Sequence, residues 1–214
     1  MKTYPSILGP AKAPHEPCVA FYKYDGSNIR VEWNKKTGFT KFGSRKQMFD
    51  ETSQWFGSVI PIFRENWEDR LAEIIKTKIF RGMTKCTFFF EWFGEKSFAG
   101  SHDENDDTRC LVLFDVNPHK KGILGPRDFI NTFGHLEGSA EVIYEGNMNQ
   151  PLIQGVMDGT LEGLESKLPA KQPIIEGVVC KGKSGHKLWM RKVKTAEWLQ
   201  ELKIRRPDDW EEFL

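Results

Sequence analysis

A chain of 214 residues in which 31 Lys+Arg nearly balance 30 Asp+Glu, for a formal charge of +1, has the length for one sizeable domain or at most two small ones. That balance excludes a globally basic nucleic-acid binder, so any such partner must be met by local charge. No apolar run approaches the length that spans a bilayer, and residues 1–17 are polar and proline-rich without an apolar signal core; a soluble, cytoplasmic protein with no membrane partner is expected, in the host cytoplasm if the source is viral.

Cys18, Cys86, Cys110 and Cys180 are scattered without a CxxC pair, and the five histidines show no metal-ligand spacing. The cysteines read as buried thiols rather than as disulfides or a zinc site. Residues 1–17 read as an irregular arm, since their prolines exclude regular helix. Two apolar runs, Cys18-Val19-Ala20-Phe21 and Ile29-Arg30-Val31-Glu32-Trp33, then flank Lys23-Tyr24-Asp25-Gly26-Ser27-Asn28, which predicts two strands joined at a tight bend. Gly26 lets the backbone approach a ligand closely. An amine held there can attack phosphorus to form a phosphoramide, provided that its neighbours supply some neutral amine. Taken alone, the same residues make an ordinary hairpin with its lysine in water.

A third strand, over 39–46, ends in a Gly-Ser-Arg turn that offers a backbone amide and the Arg45 guanidinium to phosphate or ribose oxygens, or is simply a basic surface turn. Trp67, Leu71, Ile74, Ile75 and Ile79 fall at helical spacing and predict a helix over 66–79 with Asn66 as its N-cap. The run Thr87-Phe88-Phe89-Phe90-Glu91-Trp92-Phe93-Gly94 predicts an aromatic strand interrupted by one carboxylate. Glu91 is either paired, as a ribose or metal contact, or faces solvent from an edge strand. The acidic loop 101–109 lacks EF-hand spacing and reads as solvated. Cys110 to Val116 predicts a buried strand in which Phe114 either stacks on a nucleobase or fills the core.

Pro126 opens a short helix, and a further helix is predicted over 160–168. In Ile174-Ile175-Glu176-Gly177-Val178-Val179-Cys180-Lys181 strand alternation would put Glu176, Val178 and Cys180 on one face. That suits a metal ligand beside phosphate, or one more antiparallel strand. Lys192 and Lys194 are two apart and share a strand face, so something anionic is expected between them. Thr195 caps a last helix whose apolar side is Trp198, Leu199 and Leu202. Between 181 and 206 cations concentrate into a patch that the net charge hides.

In order, KxDG at Lys23, aromatic-Glu-x-x-Gly at Glu91, Phe-Asp at Phe114, Glu-Gly-Val-Val-x-Lys at Glu176 and Lys-x-Lys at Lys192 resemble the covalent nucleotidyltransferase superfamily of ligases and mRNA capping enzymes. The resemblance runs from Lys23 to Lys194. Asn28 stands where DNA ligases and capping enzymes usually have arginine, a pattern similar to RNA ligases and especially to the phage type that seals nicks in duplex RNA.

The resemblance implies one α/β nucleotidyltransferase domain over 1–214, ATP-grasp-like, with antiparallel sheets enclosing a nucleotide cleft. It implies ATP and Mg²⁺ (or Mn²⁺), and a partner RNA with 5′-phosphate and 3′-hydroxyl ends joined through a lysyl-AMP intermediate and an RNA-adenylate. Lys23 is then the nucleophile, with Lys192 and Lys194 as further catalytic lysines, and the cations around Lys23 are expected to favour its neutral amine. Asp25 and Gly26 shape the turn, Asn28 serves the sealing steps, Arg45 contacts phosphate or ribose, Glu91 the ribose and Phe114 the adenine. Val178 and Lys181 lie at the nucleotide, Lys181 neutralising the triphosphate, and Glu176 holds the metal. Residues 195–214 leave no room for an appended OB or helical domain. The RNA grip is therefore expected from this domain, acting as a monomer, or from an RNA-binding partner protein. The competing expectations are a DNA ligase, a GTP-dependent capping transferase, and a non-catalytic module that binds nucleotides or RNA ends.

Overall fold

A computed structural model of the chain describes residues 1–164 and 173–213. The chain packs as two compact units, Met1–Pro5 with Gly26–Ser139 and Ser6–Asp25 with Ala140–Leu214. The bend at Asp25-Gly26 is where the chain leaves one unit for the other. It is not a hairpin. Strand β1 (Pro17–Lys23) pairs with β7 (Val142–Asn147) and β8 (Gly177–Ser184), whereas β2 (Ser27–Asn34) pairs with β3 (Gly38–Ser44) and β5 (Lys85–Phe93). The partners of β1 and the β5 partner of β2 lie far along the chain, and local turn chemistry carries no information about them.

The first unit is a five-stranded antiparallel sheet in the order β4-β3-β2-β5-β6, with β4 at Met48–Phe49 and β6 at Cys110–Pro118. Directly paired residues share a face, so Ile29 and Phe90, Val31 and Phe88, and Phe42 with Val31 form one apolar surface. Phe63 of α1 (Val59–Phe63) lies 5.5 Å from the Phe42 ring and 5.7 Å from Phe90. Trp67 is 5.1 Å from Phe90, and Phe133 of α3 (Pro126–Phe133) is 6.3 Å from Phe88. Strand β5 lies inside the sheet, so the edge-strand reading of Glu91 fails.

The helix expected over 66–79 starts earlier. Its path runs through α1, a π-helical turn at Arg64–Glu68 and α2 (Asp69–Ile75), then closes with a 3₁₀ turn at Lys78–Phe80. Asn66 is inside the π turn and not an N-cap; its side-chain amide donates to the Ile62 carbonyl at 3.1 Å. The acidic loop is not uniformly solvated either: Asp106 is buried and accepts from the Lys96 amide at 2.9 Å and the Thr108 amide at 3.0 Å.

The second unit is a four-stranded antiparallel sheet in the order β7-β1-β8-β9, with β9 at Lys187–Lys194. One face, carrying Cys18, Ala20, Val178, Cys180 and Val193, is buried with Ile143, Leu152 and Val156. Leu152 and Val156 belong to α4 (Gln150–Met157), which sequence reading missed although Asn149 caps it, accepting from the Leu152 amide at 3.0 Å, and Pro151 sits in its first turn. Residues 160–164 form turns rather than the expected helix, and the rest of 160–168 lies outside the described residues. Helix α5 (Ala196–Arg205) is capped by Thr195 as expected, with the Trp198 amide donating to its hydroxyl at 3.2 Å. No helix among the described residues is long and apolar enough to cross a membrane.

Phe63 is fully buried against Phe39, Phe42 and Phe90. Phe63→Ala should therefore cost about 3–5 kcal/mol in a denaturant unfolding experiment, whereas truncating the exposed Trp55 should cost almost nothing.

Candidate functional site

Register, rather than sequence spacing, assembles the lysines. In the second unit Lys23 lies opposite Gly177, which lies opposite Lys194; Phe21 aligns with Val179 and Lys192; Val19 aligns with Lys181 and Met190. Cross-strand partners share a face, so Lys23, Lys181, Lys192 and Lys194 project from one side of the sheet. The apolar core with α4 covers the other side. Val178 belongs to that core side, fully buried. Lys181 is 1% exposed, its ammonium 4.6 Å from the centroid of the Phe21 ring.

At the centre of the lysine face is Glu176, 3% exposed. One carboxylate oxygen accepts from Lys23 Nζ at 2.7 Å and the other from Lys194 Nζ at 2.8 Å. The anion expected between Lys192 and Lys194 is met at Lys194 by a residue of the chain itself, but its other partner is Lys23. The alternation that put Glu176 beside Val178 and Cys180 does not hold, because β8 begins at Gly177, whose φ of 147° turns the chain before the strand starts. A Cβ at Gly177 would collide with the Val193 carbonyl, so glycine alone permits the close approach of β8 to β9 that sets Lys23 and Lys194 on either side.

Burial lowers the Lys194 ammonium below its usual range, with Glu176 opposing and the Lys23 charge adding to the effect. The Lys23 ammonium thus has the Glu176 carboxylate as a direct partner.

Asp25 and Trp198 complete this arrangement. The Trp198 indole N–H donates to Asp25 Oδ2 at 2.6 Å, and Lys194 Nζ sits 3.6 Å from the centroid of the same indole. Sequence reading took Trp198 only as helix packing.

The first unit gathers a different set. Gly26 comes just before β2, and a Cβ there would collide with the backbone carbonyl of Trp92, so the chain itself approaches Gly26 closely. Asn28 pairs across the ladder with Glu91. The Asn28 Oδ1 is buried and accepts no hydrogen bond among the described residues. Arg45 is exposed on the turn after β3.

Phe114 is half-buried in β6, and Tyr4 packs edge-on against it and against Phe89, with centroids 5.0 Å away in both cases. The Tyr4 hydroxyl donates to Asp115 Oδ2 at 2.5 Å. Burial first, then the Asp115 and Glu91 charges, push the Tyr4 phenol well above its ordinary value, while Arg45 opposes. Tyr4 therefore stands among Arg45, Glu91 and Phe114. A tyrosine in a proline-rich arm gave no sign of this.

No group of three or more His, Cys, Asp or Glu that could hold a metal occurs among the described residues. A cation held at Glu176 would keep most of its shell as water and phosphate oxygens, as Mg²⁺ commonly does.

No protein-family model and no curated protein sequence matches the chain. Its structure, however, superposes on mutants of a Naegleria gruberi RNA ligase. One, with AMP and Mn, has a TM-score of 0.64 at 16% identity and covers 94% of this chain and 58% of that one. Another, with ATP and Mn, gives 0.62 at 17% over 92% and 57%, and an apo form gives 0.62 at 15% over 96% and 58%. The fold is the one those RNA ligases have. The chain spans less than two-thirds of their length.

Removing the Glu176 charge leaves two ammonium groups facing each other. Glu176→Gln should cost about 2–3 kcal/mol, below the usual range for a broken buried pair because Lys23 is 23% exposed. Adding Lys23→Met should recover part of that loss. Urea midpoints of the single and double variants check both; a Glu176→Gln protein as stable as the parent would remove Glu176 from the centre of the site.

Proposed function

We propose that this chain is an ATP-dependent nucleotidyltransferase of the RNA-ligase type, which joins RNA 3′-hydroxyl and 5′-phosphate ends through AMP carried on Lys23. The observation that carries the reading is the single sheet face on which Lys23, Lys181, Lys192 and Lys194 stand, with Glu176 buried between Lys23 and Lys194. Phosphoryl transfer asks a protein mainly for positioning and charge neutralisation, and four lysines on one sheet face, two of them paired with a buried carboxylate, offer both.

Lys23 is the nucleophile. Once it has lost its proton, its Nζ forms a bond to the α-phosphorus of ATP as the bond from that phosphorus to pyrophosphate breaks. Lys181, Lys192 and Lys194 stabilise negative charge on the triphosphate and the departing pyrophosphate. A divalent cation, Mg²⁺ or Mn²⁺, held by Glu176 together with phosphate and water oxygens, would add to that neutralisation. The AMP then passes from Lys23 to an RNA 5′-phosphate, and the RNA 3′-hydroxyl displaces it.

Asp25 holds the turn that carries Lys23. Asn28, whose Oδ1 lacks a donor among the described residues, serves the sealing steps. Arg45 is assigned to phosphate or ribose, Glu91 to ribose and Phe114 to adenine, each in keeping with its chemistry. Val178 contributes by packing β8 beneath the lysine face.

Incubation with ATP and Mg²⁺ or Mn²⁺ followed by denaturing mass spectrometry should show one AMP adduct that maps to Lys23, disappears in Lys23→Ala and does not form as GMP from GTP. The adenylylated protein should then seal nicked RNA in preference to nicked DNA. No adduct, or one that survives in Lys23→Ala, would overturn the reading and leave a binding module.

A further inference from the structure

Trp198 closes a ring of contacts that begins and ends on the nucleophile's own turn. From Lys23 the contacts run to Glu176 at 2.7 Å, from Glu176 to Lys194 at 2.8 Å, from Lys194 to the face of the Trp198 indole at 3.6 Å, and from the indole N–H to Asp25 at 2.6 Å. Asp25 is two residues from Lys23. We propose that Trp198 is a positioning residue for adenylyl transfer, tying the Lys-x-Lys strand to the Lys23 turn so that Lys23, Asp25 and Lys194 hold one geometry. This rests on the function proposed above and adds to it a residue that touches neither the nucleotide nor the reacting atoms.

The fold fixes Trp198 from several sides. It is 3% exposed in the first turn of α5. Thr195, which caps that helix, also donates its hydroxyl to the Ile175 carbonyl at 2.7 Å, so the start of α5 is pinned to the residue before Glu176. A buried indole N–H usually takes an acceptor, and a charged carboxylate is the strongest a side chain offers. The ring face attracts the Lys194 ammonium, which burial has stripped of much of its water. The charged groups that act on this ammonium are Glu176, Lys23 and Asp25, and the indole contacts the last of them while covering the ammonium itself. One side chain thus restrains both flanks of the Lys23–Glu176 pair. If Trp198 were only a core residue of α5, a ring of similar size would replace it without consequence for the chemistry.

Trp198→Phe keeps a ring face for Lys194 and removes the N–H. At saturating ATP its self-adenylylation rate should fall about 10- to 100-fold, the range set by losing a hydrogen bond to a charged acceptor. Asp25→Ala removes the same bond from its other end, so the double variant should be little slower than the slower single one. In ¹H–¹⁵N spectra the Trp198 indole signal, identified by its absence in Trp198→Phe, should move in Asp25→Ala and in Lys194→Met.

A Trp198→Phe rate equal to the parent's, single losses that multiply in the double variant, or an indole signal unmoved by both substitutions would overturn the proposal. Should Trp198→Phe fail to fold, the indole signal is assigned in triple-resonance spectra of the parent, and its response to Asp25→Ala and Lys194→Met carries the test. The spectra need no turnover. A parent protein that forms no AMP adduct but whose indole responds would sink the proposed activity and leave the tie standing.

Discussion

The Glu176 carboxylate, buried between two ammonium groups, is the constraint on which the second unit's lysine face depends. A buried carboxylate without counter-charge is several kcal/mol unfavourable, and two ammonium groups at hydrogen-bonding distance from one point repel each other unless an anion separates them. Neither half of the arrangement is tolerable alone, so Lys23, Lys194 and Glu176 must arrive together. Such a triad is weak evidence for stability, because an apolar replacement of similar volume can do as well.

That triad exists because three strands meet in one register. Gly177 lies between Lys23 and Lys194 in the ladder, and its missing side chain lets the Val193 carbonyl pass where a Cβ would be. The opposite face of the same strands is mostly apolar and packs on α4, although Arg191 stands opposite Cys180 on it; that packing fixes the register, because a slip of one residue would turn Val178 and Cys180 out of the core and the lysines into it. Packing on one face therefore enforces charge alignment on the other. Helix α5 extends the arrangement through Trp198, joining a turn at Asp25 to a strand that ends at Lys194.

Much of the fold and of the candidate site was legible in the residues. Strands β1, β2, β5, β6, β8 and β9 follow from apolar and aromatic runs, and α5 follows from its Thr195 cap. Four misreadings have local causes. Pro61 disguised the early start of α1, although proline fits a first helical turn. The π turn displaced Asn66 from its expected cap. Strand β7 and helix α4 are short, and only Asn149 and Pro151 mark them. The glycine beside Glu176 broke an alternation that otherwise predicts the face correctly.

The residues by themselves determined which groups were candidates for chemistry: an amine before an Asp-Gly turn, a carboxylate beside a glycine, two lysines two apart, an asparagine five after that amine. Those are properties of side-chain type and short spacing, which a strand or turn preserves. Only the tertiary structure decided which of them meet. Trp198 reaches Asp25 across 173 positions and Tyr4 reaches Asp115 across 111, and each partner was ordinary where it stood. Contacts of that range are set by ladder register and core packing, which depend on the whole chain folding at once. Local pattern therefore named the lysines, and the sheet made them a site.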